Sequence, residues 1–250
     1  MPIATGSDAS TDTRLNPLAD ALADLITESW SRLPDLEPLP IDPELEAISG
    51  SLDGDDLFIR NSLRRARGYR KMHLETARLG AGLQILHCVF FPDPRHDLPL
   101  FGADVVASRA GVSAAIADLS PVAAELPAAL SSALRQRPEP PYSQPRELPA
   151  WGDIFSPFVR FVRPVGPEEE GWFLDDVRLF LDLIADAVAS SRPQASDDPA
   201  TVHRYEMQLS YCLQQKRNDK TRRALEKAFN PSWADRYIET LLFDDPPRPA

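Results

Sequence analysis

From Ala47 to about Leu119, apolar and polar residues alternate in short runs broken by glycine and aspartate. A period of two marks half-buried strands, because successive side chains on a strand point to opposite faces. The alternation predicts strands at 47–52, 56–61, 69–79, 83–91, 102–107 and 112–118. Turns as short as Asp53-Gly54-Asp55 imply an antiparallel meander.

Outside this region the period becomes helical. Residues 18–33 place Leu18, Leu22, Leu25 and Trp30 at helical spacing. Four prolines between Pro34 and Pro43 make the following link extended. Seven more lie between Pro121 and Pro149, leaving room for one short helix at 128–135. Beyond them, helices are predicted at 151–158, 168–190, 201–217, 221–229 and 232–243. The second of these opens on acidic residues, where the helix dipole favours them, and Asn218-Asp219 reads as an N-cap for the fourth. Strands followed by helices make the fold class α+β, with helices covering the faces of the sheet. The predicted organisation is a disordered acidic tail at 1–17 and one domain at 18–245. Within that domain the sheet spans about 47–119 and the C-terminal helices about 151–243.

The candidate chemistry lies in one hairpin. Two apolar-rich runs, 71–79 and 83–91, flank Gly80-Ala81-Gly82. His73 and Glu75 share a face, and a turn centred on Ala81 sets Glu75 opposite His87. Opposed residues hold their Cβ atoms about 4.5–5.5 Å apart. Asp104 adds a fourth ionisable group from the next apolar strand. Buried polar groups need partners, so four of them in one small sheet point to function, and a carboxylate facing imidazoles is suited to moving protons. His73, Glu75 and His87 also admit a metal site, although their spacing carries no ligand signature. Met72 and Leu74 fall on the opposite face and read as core. Asp219 reads as a cap, His203 as a surface residue, and Trp151 and Tyr211 as core or ligand-stacking residues. His96 has no assigned role.

Composition narrows the classes. With 43% hydrophobic residues the chain can fill a core, and no stretch approaches a membrane span. No basic region followed by an apolar run opens the chain, so no secretory signal is expected. Cys88 and Cys212 are too few and too far apart for a disulfide framework, a zinc site or an iron–sulfur cluster. A cytoplasmic protein is expected. Residues 1–56 hold thirteen acids against Arg14 and Arg32, which accounts for the whole net charge of −11. The remainder balances and carries two basic clusters. One is Arg60, Arg64, Arg65, Arg67, Arg70 and Lys71; the other is Lys216, Arg217, Lys220, Arg222, Arg223 and Lys227. Sparse aromatics and the overall negative charge argue against nucleic acid. A small acidic protein fits better, with two solvated faces as the alternative. The chain has no GxGxxG, no GxxxxGK[ST] and no GxSxG.

Four stretches in order, RKMHLETARLGAGLQILHCVFFPDP, LPLFGADVVASRAGVSAAIADLSP, RELPAWGDIFS and QQKRNDKTRRALEKAF, make the chain resemble the ferredoxin-dependent bilin reductases over roughly residues 46–244. The resemblance implies a three-layer α/β/α sandwich with a central antiparallel sheet, with bilin between the sheet and the C-terminal helices. It implies a monomer that binds no cofactor and reduces biliverdin IXα with electrons delivered singly by reduced ferredoxin. The conjugated tetrapyrrole then carries the unpaired electron while the protein supplies protons. By the same resemblance, Glu75 serves D-ring exovinyl reduction, His87 and Asp104 protonate the bilin and serve the A-ring, and His73 relays protons to His87. Ser113, Arg146 and Lys220, with Asn218 nearby, would hold the propionates. The resemblance does not say which basic cluster docks ferredoxin; of the two, the side bearing Arg64, Arg65, Arg67, Arg70 and Lys71 is preferred. Having both Glu75 and His87 favours four-electron reduction to phycocyanobilin, D-ring first. A two-electron or phycoerythrobilin-type product and a non-catalytic tetrapyrrole-binding protein are the alternatives.

Overall fold

Side-chain alternation along the strand 69–79 decides how the molecule is layered. In the computed structural model, which describes residues 16–80, 82–149, 152–217 and 219–249, the alternating runs form one eight-stranded antiparallel sheet. Its strands are β1 (Glu37–Pro38), β2 (Ala47–Leu52), β3 (Asp55–Ala66), β4 (Tyr69–Leu79), β5 (Leu83–Pro92), β6 (Leu100–Ser108), β7 (Gly111–Ser120) and β8 (Arg160–Val162). The order is β1-β3-β4-β5-β6-β7-β8, with β2 sharing the β3 edge. Chain neighbours are sheet neighbours from β3 to β7, so short turns suffice. Strand β3 runs on to Ala66, past the predicted end at Asn61, because Leu63 continues its inward-facing row. The two-residue β1 and three-residue β8 are too short to carry a period.

One face of the sheet presents Met72 and Leu74 from β4, Leu86, Cys88 and Phe90 from β5, and Phe101, Ala103 and Val105 from β6. It packs on helices α1 (Pro17–Trp30) and α4 (Gly166–Ser190). Short helices α2 (Pro43–Glu46) and α3 (Ala128–Arg135) lie between these elements in the chain. The other face carries Leu57, Ile59 and Leu63 of β3, Ala77 of β4 and Val89 and Phe91 of β5. It is covered by α5 (Pro199–Gln215), α6 (Asp219–Ala228) and α7 (Pro231–Tyr237). The expected three-layer sandwich is therefore present. Among the described residues no helix is long and apolar enough to cross a membrane.

Three expectations change. Helix α1 starts inside the predicted tail, because Pro17 occupies the first turn and the Asn16 side chain accepts from Leu18 N at 3.0 Å. The rest of that tail, residues 1–15, lies outside the described residues, as do Trp151 and Asn218. The helix predicted at 151–158 shrinks to a 3₁₀ turn at Gly152–Ile154. Pro157 disfavours helical geometry at Ser156, whose N–H and hydroxyl go to buried Asp118 at 2.9 and 2.5 Å. Finally, the last predicted helix is α-helical only to Tyr237 and continues as a π-helical turn at Ile238–Leu242.

That last turn is tied to the sheet by Lys71, on the same face of β4 as His73 and Glu75. Its ammonium donates to Leu241 O at 2.9 Å and to the Asp244 carboxylate, and Arg70 reaches Asp244 Oδ2 at 2.6 Å. Burial pushes the Lys71 amine down to about 8 against the opposing pull of Asp244. Asp244→Ala should therefore destabilise the protein by roughly 3 kcal/mol, because it leaves a buried cation unpaired. Adding Lys71→Met should recover much of that loss in denaturant unfolding; no recovery would mean that the pair is not what holds the segment.

Candidate active site

The β4–β5 register carries the site. The Gly80–Gly82 turn sets Leu79 opposite Leu83, and the ladder then sets Glu75 opposite His87. The next strands extend this pairing into a transverse row, Asn61–Glu75–His87–Asp104, on the face covered by α5 to α7. His73 lies two residues along β4 on the same face, opposite Leu63 and Val89. Glu75 and His87 face each other with His73 on the same face, as periodicity and turn position predict, and the β5–β6 register adds Asp104 beside His87.

Each group is held in a defined state. His87 Nδ1 hydrogen-bonds to the Asp104 carboxylate, while its Nε2 is buried without a partner. Burial pulls the His87 pKa down, but Asp104 outweighs it through its charge and hydrogen bond, so the net direction is up. His73 Nε2 donates to Asn61 Oδ1 at 2.8 Å and its Nδ1 is likewise orphaned. Burial, then the positive His87 and Lys71, hold His73 well below the usual histidine range, so it is neutral. The two imidazoles stand edge to face at 6.1 Å, and the Phe243 ring packs on His87 at 5.7 Å. Burial pushes the Glu75 carboxyl above the ordinary range, with opposing contributions from His87 and Tyr237. Glu75 Oε2 lies 2.8 Å from the Tyr237 hydroxyl. A carboxyl group raised by burial beside an imidazole–carboxylate pair offers two proton donors of different strength on one face.

Asn61, Tyr237 and Phe243 were not anticipated. Asn61 interrupts the inward row Leu57, Ile59, Leu63, and that polar interruption was a legible signal. Tyr237 is brought to Glu75 across 162 residues by a stacked ladder, Phe229 on Trp233 at 3.9 Å and Trp233 on Tyr237 at 5.0 Å. No local pattern encodes that contact.

The remaining expected residues divide. Ser113 is the extra residue of a β-bulge, with Ala114 opposite Val106 and Val112 opposite Ala107. Arg146 donates to its backbone carbonyl at 2.6 Å, so these two come together, roughly 10 Å along β7 from Ile116, the residue opposite Asp104. Lys220 is exposed in the first turn of α6, a helix that packs on β2 at the other end of the strand order. Tyr211 is core, capped by Gln215 at 3.0 Å. His96 is buried and bonded to Ser191 Oγ at 2.8 Å, whereas His203 is exposed. Among the described residues no group of three or more His, Cys, Asp or Glu side chains is arranged to hold a metal ion.

The basic surface needs correction. Lys71 and Arg70 are not surface residues, since burial against Asp244 leaves their side chains only 6% and 12% exposed. Arg65 pairs with Glu37, and the open cleft beside it mixes Arg65, Arg67 and Arg95 with Asp35, Glu37 and Asp93. In the second cluster Lys216 pairs with Glu239 and Asp245, Arg222 with Asp235, and Lys227 with Asp53.

The His87 shift has a signed consequence. A raised histidine contributes stability that is complete below its ordinary value and lost as pH climbs through the folded value. Asp104→Asn should remove the main opposition to burial, leaving only Glu75 to raise His87, so the His87 midpoint should fall in an NMR titration and that loss of stability should shrink. A His87 midpoint that does not move would remove Asp104 as its cause.

Comparison with known proteins identifies the family. The sequence profile described as ferredoxin-dependent bilin reductase matches residues 23–244. The chain is 59% identical over 233 residues to phycocyanobilin:ferredoxin oxidoreductase of Prochlorococcus marinus (strain MIT 9303), covering 93% of this chain and 88% of that one. It is 56% identical over 235 residues to the protein of the same name from Synechococcus sp. (strain CC9902), covering 94% and 96%. In fold it is similar to the crystal structure of phytochromobilin synthase from tomato in complex with biliverdin, with a TM-score of 0.72, 17% identity, and coverage of 90% and 82%. A profile spanning most of the sheet and its covering helices, with relatives matched over nearly their whole length, places this chain in the ferredoxin-dependent bilin reductases.

Proposed function

We propose that this chain reduces biliverdin IXα to phycocyanobilin by four electrons taken one at a time from reduced ferredoxin. The reading is carried by the Glu75–His87–Asp104 row, in which a carboxyl group and a carboxylate-paired imidazole stand side by side on one covered face of the sheet. The names of relatives at 56% and 59% identity support the product. Each of the two reductions adds two electrons and two protons. The bilin supplies the conjugated system that holds the unpaired electron, and the protein supplies protons and excludes water.

The roles follow from environment. Glu75, raised by burial, delivers a proton to the D-ring exovinyl group first. His87, whose pKa Asp104 raises, then serves the A-ring, and His73, whose Nδ1 is free to accept, relays incoming protons to His87. Arg146, beside Ser113, supplies a guanidinium for one propionate. Lys220, with Asn218 nearby, would serve the other from α6. The acidic ferredoxin would meet the side bearing Arg64, Arg65 and Arg67, of which Arg65 and Arg67 are exposed and Arg64 is half-buried. No cofactor is bound between turnovers, and the enzyme acts as a cytoplasmic monomer.

The purified protein should bind biliverdin and turn it over only with reduced ferredoxin, with phycocyanobilin identified by chromatography. Binding without turnover would leave a carrier protein, and a two-electron or phycoerythrobilin-type product would correct the product assignment. Glu75→Gln should slow D-ring vinyl reduction about 100-fold or more while sparing A-ring chemistry. Full product at the normal rate would remove Glu75 from its role. Asp104→Asn should bind biliverdin and fail to complete the reaction, and an undiminished rate would exclude it.

A further inference from the structure

The polar chain behind Glu75 has a proton count that its geometry fixes. Asn61 is 2% exposed, and its Nδ2 donates to Leu45 O at 2.7 Å. Reversing the amide would set two oxygens against each other at that distance, so Leu45 fixes the side chain with Oδ1 pointing inward. That oxygen is only an acceptor. It lies 2.8 Å from His73 Nε2 and 2.9 Å from the Tyr237 hydroxyl. The same hydroxyl lies 2.8 Å from Glu75 Oε2.

A phenol has one proton to give. If Glu75 is ionised, the Tyr237 proton must turn to it, and the Tyr237 and Asn61 oxygens face each other at 2.9 Å with no hydrogen between them. If Glu75 is protonated, every contact is satisfied. Glu75 donates to Tyr237, Tyr237 donates to Asn61, and Asn61 also receives His73 Nε2–H. Tyr237 is 1% exposed, so water cannot repair the ionised arrangement at its hydroxyl.

We propose that Asn61 and Tyr237 are positioning residues for the reaction: the Asn61 carbonyl takes the Tyr237 proton and so holds Glu75 as a carboxylic acid with its O–H on Tyr237. The other groups facing Glu75 are His87 from β5, Asp104 from β6, and His73 and Lys71 along β4. None of these bonds to Asn61 or Tyr237 except His73. Asn61 also fixes His73 as its Nε2–H tautomer, which leaves Nδ1 as a bare acceptor. One short chain thus loads a donor at one end and an acceptor at the other.

The test is an infrared titration of the bilin-free protein, with Glu75→Gln used to isolate the Glu75 carboxylic acid band. That band should be present at neutral pH. Asn61→Ala frees the Tyr237 proton for the carboxylate, and the difference between a charged and a neutral hydrogen bond should lower the proton affinity of Glu75 roughly five- to tenfold. Tyr237→Phe, which keeps the ring and the ladder, removes both the acceptor of the Glu75 O–H and the phenolic proton that Asn61 restrains. Adding Asn61→Ala to Tyr237→Phe should therefore give no further fall, because no phenolic proton remains to be released. A merely structural role for Asn61 would give no such dependence on the hydroxyl. An absent band in the unmodified protein, an unchanged midpoint in Asn61→Ala, or an equal fall when Asn61→Ala is added to Tyr237→Phe would each overturn the proposal, and the first decides it even if Asn61→Ala does not fold. The consequence for turnover rests on the role assigned to Glu75 above: the D-ring step should lose kcat at higher pH in Asn61→Ala with KM for biliverdin unchanged. If the infrared shift occurs and that profile does not follow, the role of Glu75 fails while the positioning stands.

Discussion

The antiparallel register of β4 against β5 is the constraint on which this molecule depends. A slip of one residue would move Glu75 and His73 to the α1 and α4 face and bring Met72 and Leu74 under α7. Both faces are buried, so a slip would bury charges in one core and leave the other layer unfilled. The glycine-flanked turn and the two apolar layers therefore specify the same pairing. The row of ionisable groups is a by-product of a register that packing already enforces.

Around that row, burial and pairing give each group a different protonation state. Glu75 is raised by desolvation, His87 is raised by Asp104 despite desolvation, and His73 is lowered by desolvation with nothing to offset it. A carboxyl raised by burial, an imidazole raised by its carboxylate and an imidazole lowered by burial thus stand within one small patch of sheet. Opposite shifts in neighbouring groups are what an acid–base site requires. The covering segment is part of the same system. Lys71 and Asp244 hold down the π-helical turn that places Phe243 against His87, so charges that look like surface features instead close the site.

Much of this was legible without coordinates. Period-two alternation gave β2, β4 and β5 almost to the residue, and the glycine-flanked turn gave the facing of Glu75 and His87. Those features are local, and local sequence determines them. The misreadings were equally physical. A run of arginines and lysines reads as a surface patch, but Arg70 and Lys71 find a carboxylate 173 or more residues away. The segment 151–158 looks helical until Asp118 claims the donors of Ser156.

The sequence by itself determined the strand pattern, the register of the central hairpin, the presence of four ionisable groups on or beside it and, through its resemblance, the family. Only the tertiary structure decided which protonation states those groups hold. It brought Tyr237 and Asn61 to Glu75 and His73, sank Lys71 against Asp244, and set Ser113 beside Arg146 on a bulge away from the helix that carries Lys220. Alternation and turns are properties of neighbouring residues. Desolvation and hydrogen-bond partners across the fold depend on which layers meet, and that is settled only when the helices close over the sheet.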